Sequence, residues 1–222
     1  MTSKKKWQTS PSPQPVKSIS HRQRNFFLAS SAVVLLPISF QVLANLNSNP
    51  GQTGNTTAFP YAIAQPGKGA TAPDFALPST KGGTVKLSDY RGKTVLLFFH
   101  EGIGCQPCWD QIRDLERVRS KLTAMGIEQL LTITSGPTRL IAQKMADDGL
   151  TAIALGDTNL EVSKIYNANA YGMMGNSRDG HSFILVGPDG KIDWRADYGG
   201  PPNYTMYVPV DQVLGDMKEG KI

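Results

Sequence analysis

The 222-residue sequence holds two cysteines, and they stand together as Cys105-Gln106-Pro107-Cys108. A pair at this spacing can close a small disulfide ring and open it again, which is the chemistry of thiol-disulfide exchange. Its reactivity depends on the flanking elements. Residues 95–100 (VLLFFH) form a continuous apolar run of the kind found in a strand covered on both faces, and Ile112, Leu115, Val118, Leu122 and Met125 recur at helical spacing behind the cysteines. Pro107 suits the first turn of that helix and Gly126 its end. The motif is therefore expected between a buried strand and a helix N-terminus. Unpaired backbone N–H groups and the positive end of the macrodipole there stabilise a thiolate at Cys105. Cys108 lies four residues before Ile112 and seven before Leu115, on the apolar face, so it is expected to be the more buried thiol and to act second.

Other uses of the pair are weaker. A disulfide that only staples the fold gains little from so short a ring, and a chain of this length can bury a core without one. A zinc site wants four ligands, and beyond the two thiols the globular part offers only His100 and His181. Gly102 and Gly104 form no phosphate-cradling pattern.

Further strands are expected over 130–134, 152–155, 182–186 and 191–198, with helices over 137–148, about 159–166 and about 210–217. Gly149 ends the first of these helices, and Gly187-Pro188-Asp189-Gly190 has the chemistry of a hairpin turn between the last two strands. The order β-α-β-α-β-α-β-β-α predicts an α/β domain with a mixed central sheet and helices on both faces, because alternation demands parallel crossovers and the hairpin adds an antiparallel pair.

The chain as a whole is 40% apolar and 18% charged, which excludes collagen-like, coiled-coil and wholly disordered classes. Its net charge of +5 resides at one end: Lys4, Lys5, Lys6, Lys17, Arg22 and Arg24 face no acid before residue 46, and the rest carries 17 basic against 18 acidic residues. A basic stripe for nucleic acid is therefore not expected. Residues 1–25 read as a basic polar leader. The uncharged run 26–44, about 28 Å long as a helix, reads as a signal peptide or membrane anchor. Residues 45–69 have linker composition, and the domain is expected over 70–222. Positive-inside logic puts this domain outside the cytoplasm, in the periplasm or on the outer face of the cytoplasmic membrane, and tethered there if the apolar run is uncleaved.

Residues 72–77 (APDFAL), 87–99 (LSDYRGKTVLLFF) and 185–192 (LVGPDGKI) resemble the alkyl hydroperoxide reductase/thiol-specific antioxidant (AhpC/TSA) family, over residues 66 to about 217. This branch of the thioredoxin superfamily includes peroxiredoxins and membrane-tethered thiol-disulfide oxidoreductases. The resemblance implies a thioredoxin-like fold and an antioxidant or thiol-disulfide oxidoreductase working through Cys105 and Cys108. It implies a protein or small-molecule disulfide, or a peroxide, as substrate, a thiol electron donor and no cofactor.

Two departures bear on the chemistry. If Cys108 takes the peroxidatic place of a peroxiredoxin, Cys105 replaces that family's threonine. Against the reductases, Gly104 precedes the motif in place of a tryptophan, Trp109 follows it, and His181 stands where a cis-proline or a peroxiredoxin arginine is found. His181 is thus the third candidate site residue, able to poise a thiolate, shuttle a proton or bind a metal. Glu101, beside His100 at the strand end, is the fourth, as a proton acceptor for Cys108 if buried. Cys105, Cys108 and His181 also resemble the copper-binding set of cytochrome oxidase assembly chaperones, although those have three residues between their cysteines and a histidine further from the turn.

Overall fold

The computed structural model describes residues 59–221; the leader 1–25, the apolar run 26–44 and residues 45–58 of the expected linker lie outside the described residues. The elements follow in the order β1 (Ala76–Pro78), β2 (Thr84–Lys86), β3 (Val95–His100), α1 (Gln106–Arg117), α2 (Arg119–Ala124), β4 (Gln129–Thr134), α3 (Thr138–Asp147), β5 (Ile153–Gly156), α4 (Glu161–Ile165), β6 (Ser182–Val186), β7 (Ile192–Asp197) and α5 (Val210–Lys221). A five-stranded sheet runs β5-β4-β3-β6-β7. β3 pairs parallel with β4 and β4 with β5, whereas β6 is antiparallel to both β3 and β7. This is the mixed sheet that the order of elements predicts.

The apolar run of β3 has its cause in this position. Leu96 and Phe98 pack on one face with Trp109, Ile112 and Leu115 of α1, Ile141 and Met145 of α3, and Val213 and Met217 of α5. Val95, Leu97 and Phe99 pack on the other with Phe75, Leu77, Val162 and Tyr166. With both faces covered, polar alternation disappears. Truncating Phe98 to alanine in such a core costs about 3–5 kcal/mol. Among the described residues no helix is long and apolar enough to cross a membrane.

The structure differs from the sequence reading at four places. The single helix expected from 107 to 126 is two, because Val118 leaves helical geometry (φ −100°, ψ 20°) while its N–H still bonds the Asp114 carbonyl. The apolar spacing continues through the break into Leu122, so no sequence signal marks it. The small antiparallel sheet of β1 and β2 was not expected, its strands being only three residues each. The last helix reaches Lys221 rather than Met217, and Gly220 lets it approach the Trp194 ring, where a Cβ would lie 2.2 Å from Cδ1.

The fourth difference concerns the linker. Residues 59–69 are packed on the domain: Ala62 bridges Asp197, the Ala64 N–H donates to Asp197 Oδ2 at 2.8 Å, and the Gly69 N–H donates to the Ile192 carbonyl at 2.8 Å. Arg195 and Asp197 form a buried bidentate pair, with Nε–Oδ2 2.8 Å and Nη2–Oδ1 2.9 Å, and Arg195 Nη1 also donates to the Pro66 carbonyl at 3.0 Å. Two desolvated charges persist only when their remaining polar valences are filled, and this segment fills them.

Candidate active site

At the end of β3 the chain must leave the sheet and enter α1 within a few residues. Gly102 makes the turn at φ +92°; a Cβ there would stand 2.6 Å from Thr134 Oγ1 and 3.0 Å from the Ser135 carbonyl, so a side chain is excluded on both counts. The Gly102 carbonyl accepts the Cys105 N–H at 3.0 Å and the Trp109 indole N–H at 3.1 Å, which locks the turn to the first turn of the helix. Cys105 is the N-cap of α1 and Pro107 occupies its first turn, where a missing N–H costs nothing.

Cys105 and Cys108 are joined by a disulfide, with S–S 2.05 Å and Cα–Cα 5.4 Å. Both cysteines are buried, but Cys105 retains 8% exposure and Cys108 none, so Cys105 is the more accessible of the two. Cys105 caps the N-terminus of α1, where the positive end of the helix macrodipole favours thiolate over thiol once the bond is reduced. The arrangement can accept two electrons through Cys105 and close again from Cys108.

His181 lies fully buried just before β6, with its ring 4.9 Å from that of Phe98 and 5.4 Å from that of Phe183, both edge-on. His100, one step beyond the last register pair of β3 with β6, is also fully buried, between Phe98 at 5.3 Å and Trp109 at 5.1 Å. None of the four ring nitrogens has a protein hydrogen-bond partner. Burial holds both imidazoles down to about pKa 3, with the other histidine adding to the effect at His181. Both are neutral at physiological pH. His100, which the sequence reading set only as a neighbour of the motif, is thus half of a buried pair.

Glu101 is buried, and its Oε1 accepts the backbone N–H groups of Met173 and Met174, the latter at 3.3 Å. Its carbonyl accepts from Arg178 Nη1 at 3.4 Å. The strand end thereby anchors the loop that precedes His181. Asp179 in that loop is buried too; burial first and the nearby Asp157 second push its carboxyl well above the ordinary range. Nothing in the sequence singled out Asp179, since an acid in a Gly/Asn-rich loop reads as solvated.

Trp109 is fully buried under the first turn of α1, with the Lys144 ammonium 5.8 Å from its ring centroid. Beside the disulfide stands Met206, which forms a contact cluster with Cys105 and Cys108 distinct from the two faces of the sheet. Its spacing from the motif gave no signal. The copper set of the sequence reading is not assembled, since among the described residues no three His, Cys, Asp or Glu side chains group around a possible ion. His181 points into the aromatic box instead.

The sequence profile of the AhpC/TSA family matches residues 68–195. The thiol-disulfide oxidoreductase ResA of Geobacillus kaustophilus is 37% identical over 100 residues, which are 45% of this chain and 56% of ResA, so the chain spans little more than half of that relative. The peroxiredoxin Bcp of Escherichia coli is 30% identical over 156 residues, 68% of this chain and 95% of Bcp. Among solved structures, peroxidoxin BcpB from Mycobacterium tuberculosis superposes with a TM-score of 0.57 at 18% identity, covering 69% of this chain and 97% of BcpB. At that identity the likeness is one of fold, the thioredoxin-like fold.

Proposed function

The chain belongs to the AhpC/TSA family, and from that premise we propose that it is an extracytoplasmic thiol-disulfide oxidoreductase. The observation that carries the reading is the asymmetry of the pair: a Cys105 that keeps 8% exposure at the cap of α1 and a fully buried Cys108 one turn on. The Cys105 thiolate attacks one sulfur of a partner disulfide, forming a mixed disulfide and releasing one partner thiolate. Cys108 then attacks Cys105 Sγ, releasing the second partner thiolate and closing the Cys105–Cys108 bond. The partner gains two electrons and this chain loses two, so an external dithiol donor must reopen the ring. Export and tethering rest on the apolar run 26–44 after its basic leader.

Glu101 and His181 act as positioning residues in this reading. The carboxylate is already engaged by two backbone N–H groups, and an imidazole held down to about pKa 3 does not retain a proton at neutral pH. They fix the loop and strand end against which the motif sits.

The test uses the prereduced full chain and a disulfide-bonded protein substrate. Cys105→Ser abolishes turnover, and Cys108→Ser accumulates the mixed disulfide; unimpaired turnover by either variant would sink the two-cysteine mechanism. A second reading, peroxide reduction, is favoured by the 95% coverage of the peroxiredoxin relative. It requires one sulfur to be oxidised to sulfenic acid, with loss of water as the other condenses on it. Stopped-flow fluorescence decides, because Trp109 follows Cys108 in the chain and bonds the Gly102 carbonyl that also accepts the Cys105 N–H: oxidation by hydrogen peroxide no faster than that of a free thiolate at equal pH leaves disulfides as the substrate, and a far greater rate makes the enzyme a peroxidase.

A further inference from the structure

Cys105, Cys108 and Met206, three sulfur-bearing side chains, form one buried contact cluster, Met206 being 8% exposed like Cys105. Met206 is held there from both sides. The Thr205 N–H donates to the Tyr198 carbonyl at 3.3 Å, the Tyr207 hydroxyl donates to Asp114 Oδ2 at 2.6 Å, and the Val208 N–H donates to Gln111 Oε1 at 2.8 Å. Asp114 and Gln111 belong to α1, the helix that carries both cysteines at its start, so the loop is tied to the helix of the motif. Gly199 completes the seat, since a Cβ there would lie 2.8 Å from Met206 Cε.

We propose that the reduced pair and Met206 form a Cu(I) site, with the two thiolates and the thioether as its three ligands. This rests on the reading of Cys105–Cys108 as a reversible dithiol. A set of soft sulfurs without carboxylate or imidazole selects Cu(I) over zinc, which wants four ligands, and over magnesium or calcium, which want oxygen. Binding releases the two thiol protons, and the resulting complex bears one net negative charge beside the positive end of α1. The disulfide offers no thiolate, so the site exists only in the reduced chain. Occupancy by copper and closure of the ring exclude each other, which makes the ion a competitor of disulfide exchange.

The experiment takes the full chain, reduced and freed of reductant without oxygen, and titrates it with Cu(I) against a chromogenic Cu(I) chelator. One ion per chain is expected, with an X-ray absorption spectrum showing three sulfur neighbours and no nitrogen. Met206→Leu, which keeps the volume, should weaken binding by about tenfold or more and leave two sulfurs. The oxidised chain should bind none. Equal affinity in Met206→Leu, a nitrogen neighbour lost in His181→Gln, or binding by the oxidised chain would each overturn the site; the absorption spectrum of the parent counts the sulfurs without relying on any variant. A chain that exchanges disulfides but binds no copper loses this site alone, and one that binds copper through three sulfurs but exchanges none loses the reading of the enzyme instead.

Discussion

The two buried histidines make the domain sensitive to acid, and His181 allows the effect to be measured alone. Each imidazole is held down to about pKa 3 in the folded chain, against an ordinary value of 6.5 when unfolded. Between these values the unfolded chain binds more protons than the folded one, so stability rises with pH and is lost as pH falls below about 6.5. The loss is about 1.4 kcal/mol per pH unit for each histidine. From pH 7 to pH 5 it comes to about 2 kcal/mol each and about 4 kcal/mol for the pair, a large part of a typical domain's stability. Asp179 acts in the opposite sense, because its raised carboxyl keeps a proton in the folded chain that the unfolded chain has released. The difference between the parent and His181→Phe cancels that opposing effect and leaves one imidazole. Phenylalanine at 181 meets the rings of Phe98 and Phe183, which already face the imidazole edge-on. Urea unfolding of the oxidised protein at pH 7, 6 and 5 should therefore show the variant losing about 2 kcal/mol less than the parent over this interval. Parallel losses in the two proteins would refute the argument, and would mean that His181 takes up a proton in the folded state.

Two further perturbations test the frame around the disulfide. Gly102→Ala forces a Cβ onto Thr134 Oγ1 and the Ser135 carbonyl at a positive φ, and should cost about 1–3 kcal/mol and slow disulfide exchange by displacing the Cys105 cap; an unchanged melting temperature would show that the turn relaxes. Glu101→Gln removes a charged acceptor from the N–H groups of Met173 and Met174, a loss of about 1.5–3 kcal/mol confined to that loop, so trypsin should cut after Arg178 faster while the global unfolding midpoint moves less; equal cleavage rates would sink the anchoring role.

Much of this protein was legible in the chain because its signals are local. The apolar run 95–100, the spacing of Ile112 and Leu115, and the Gly187–Gly190 turn each reflect a period or a backbone preference, and together they predict the mixed sheet that the strand order displays. The spacing of Cys105 and Cys108 and their place before a helix likewise follow from adjacent residues. What the sequence could not determine depends on partners far along the chain. Residues 59–69 have the composition of a linker and are nevertheless ordered, because Arg195 and Asp197 are desolvated and need the backbone of that segment. His100 and His181 stand 81 positions apart, and only the antiparallel pairing of β3 with β6 seals them in one aromatic box and depresses both pKa values. Met206 reaches the disulfide only because its loop is latched to α1 by Gln111 and Asp114. Desolvation and contact are properties of a neighbourhood rather than of a residue, and the neighbourhood exists only once the sheet has closed.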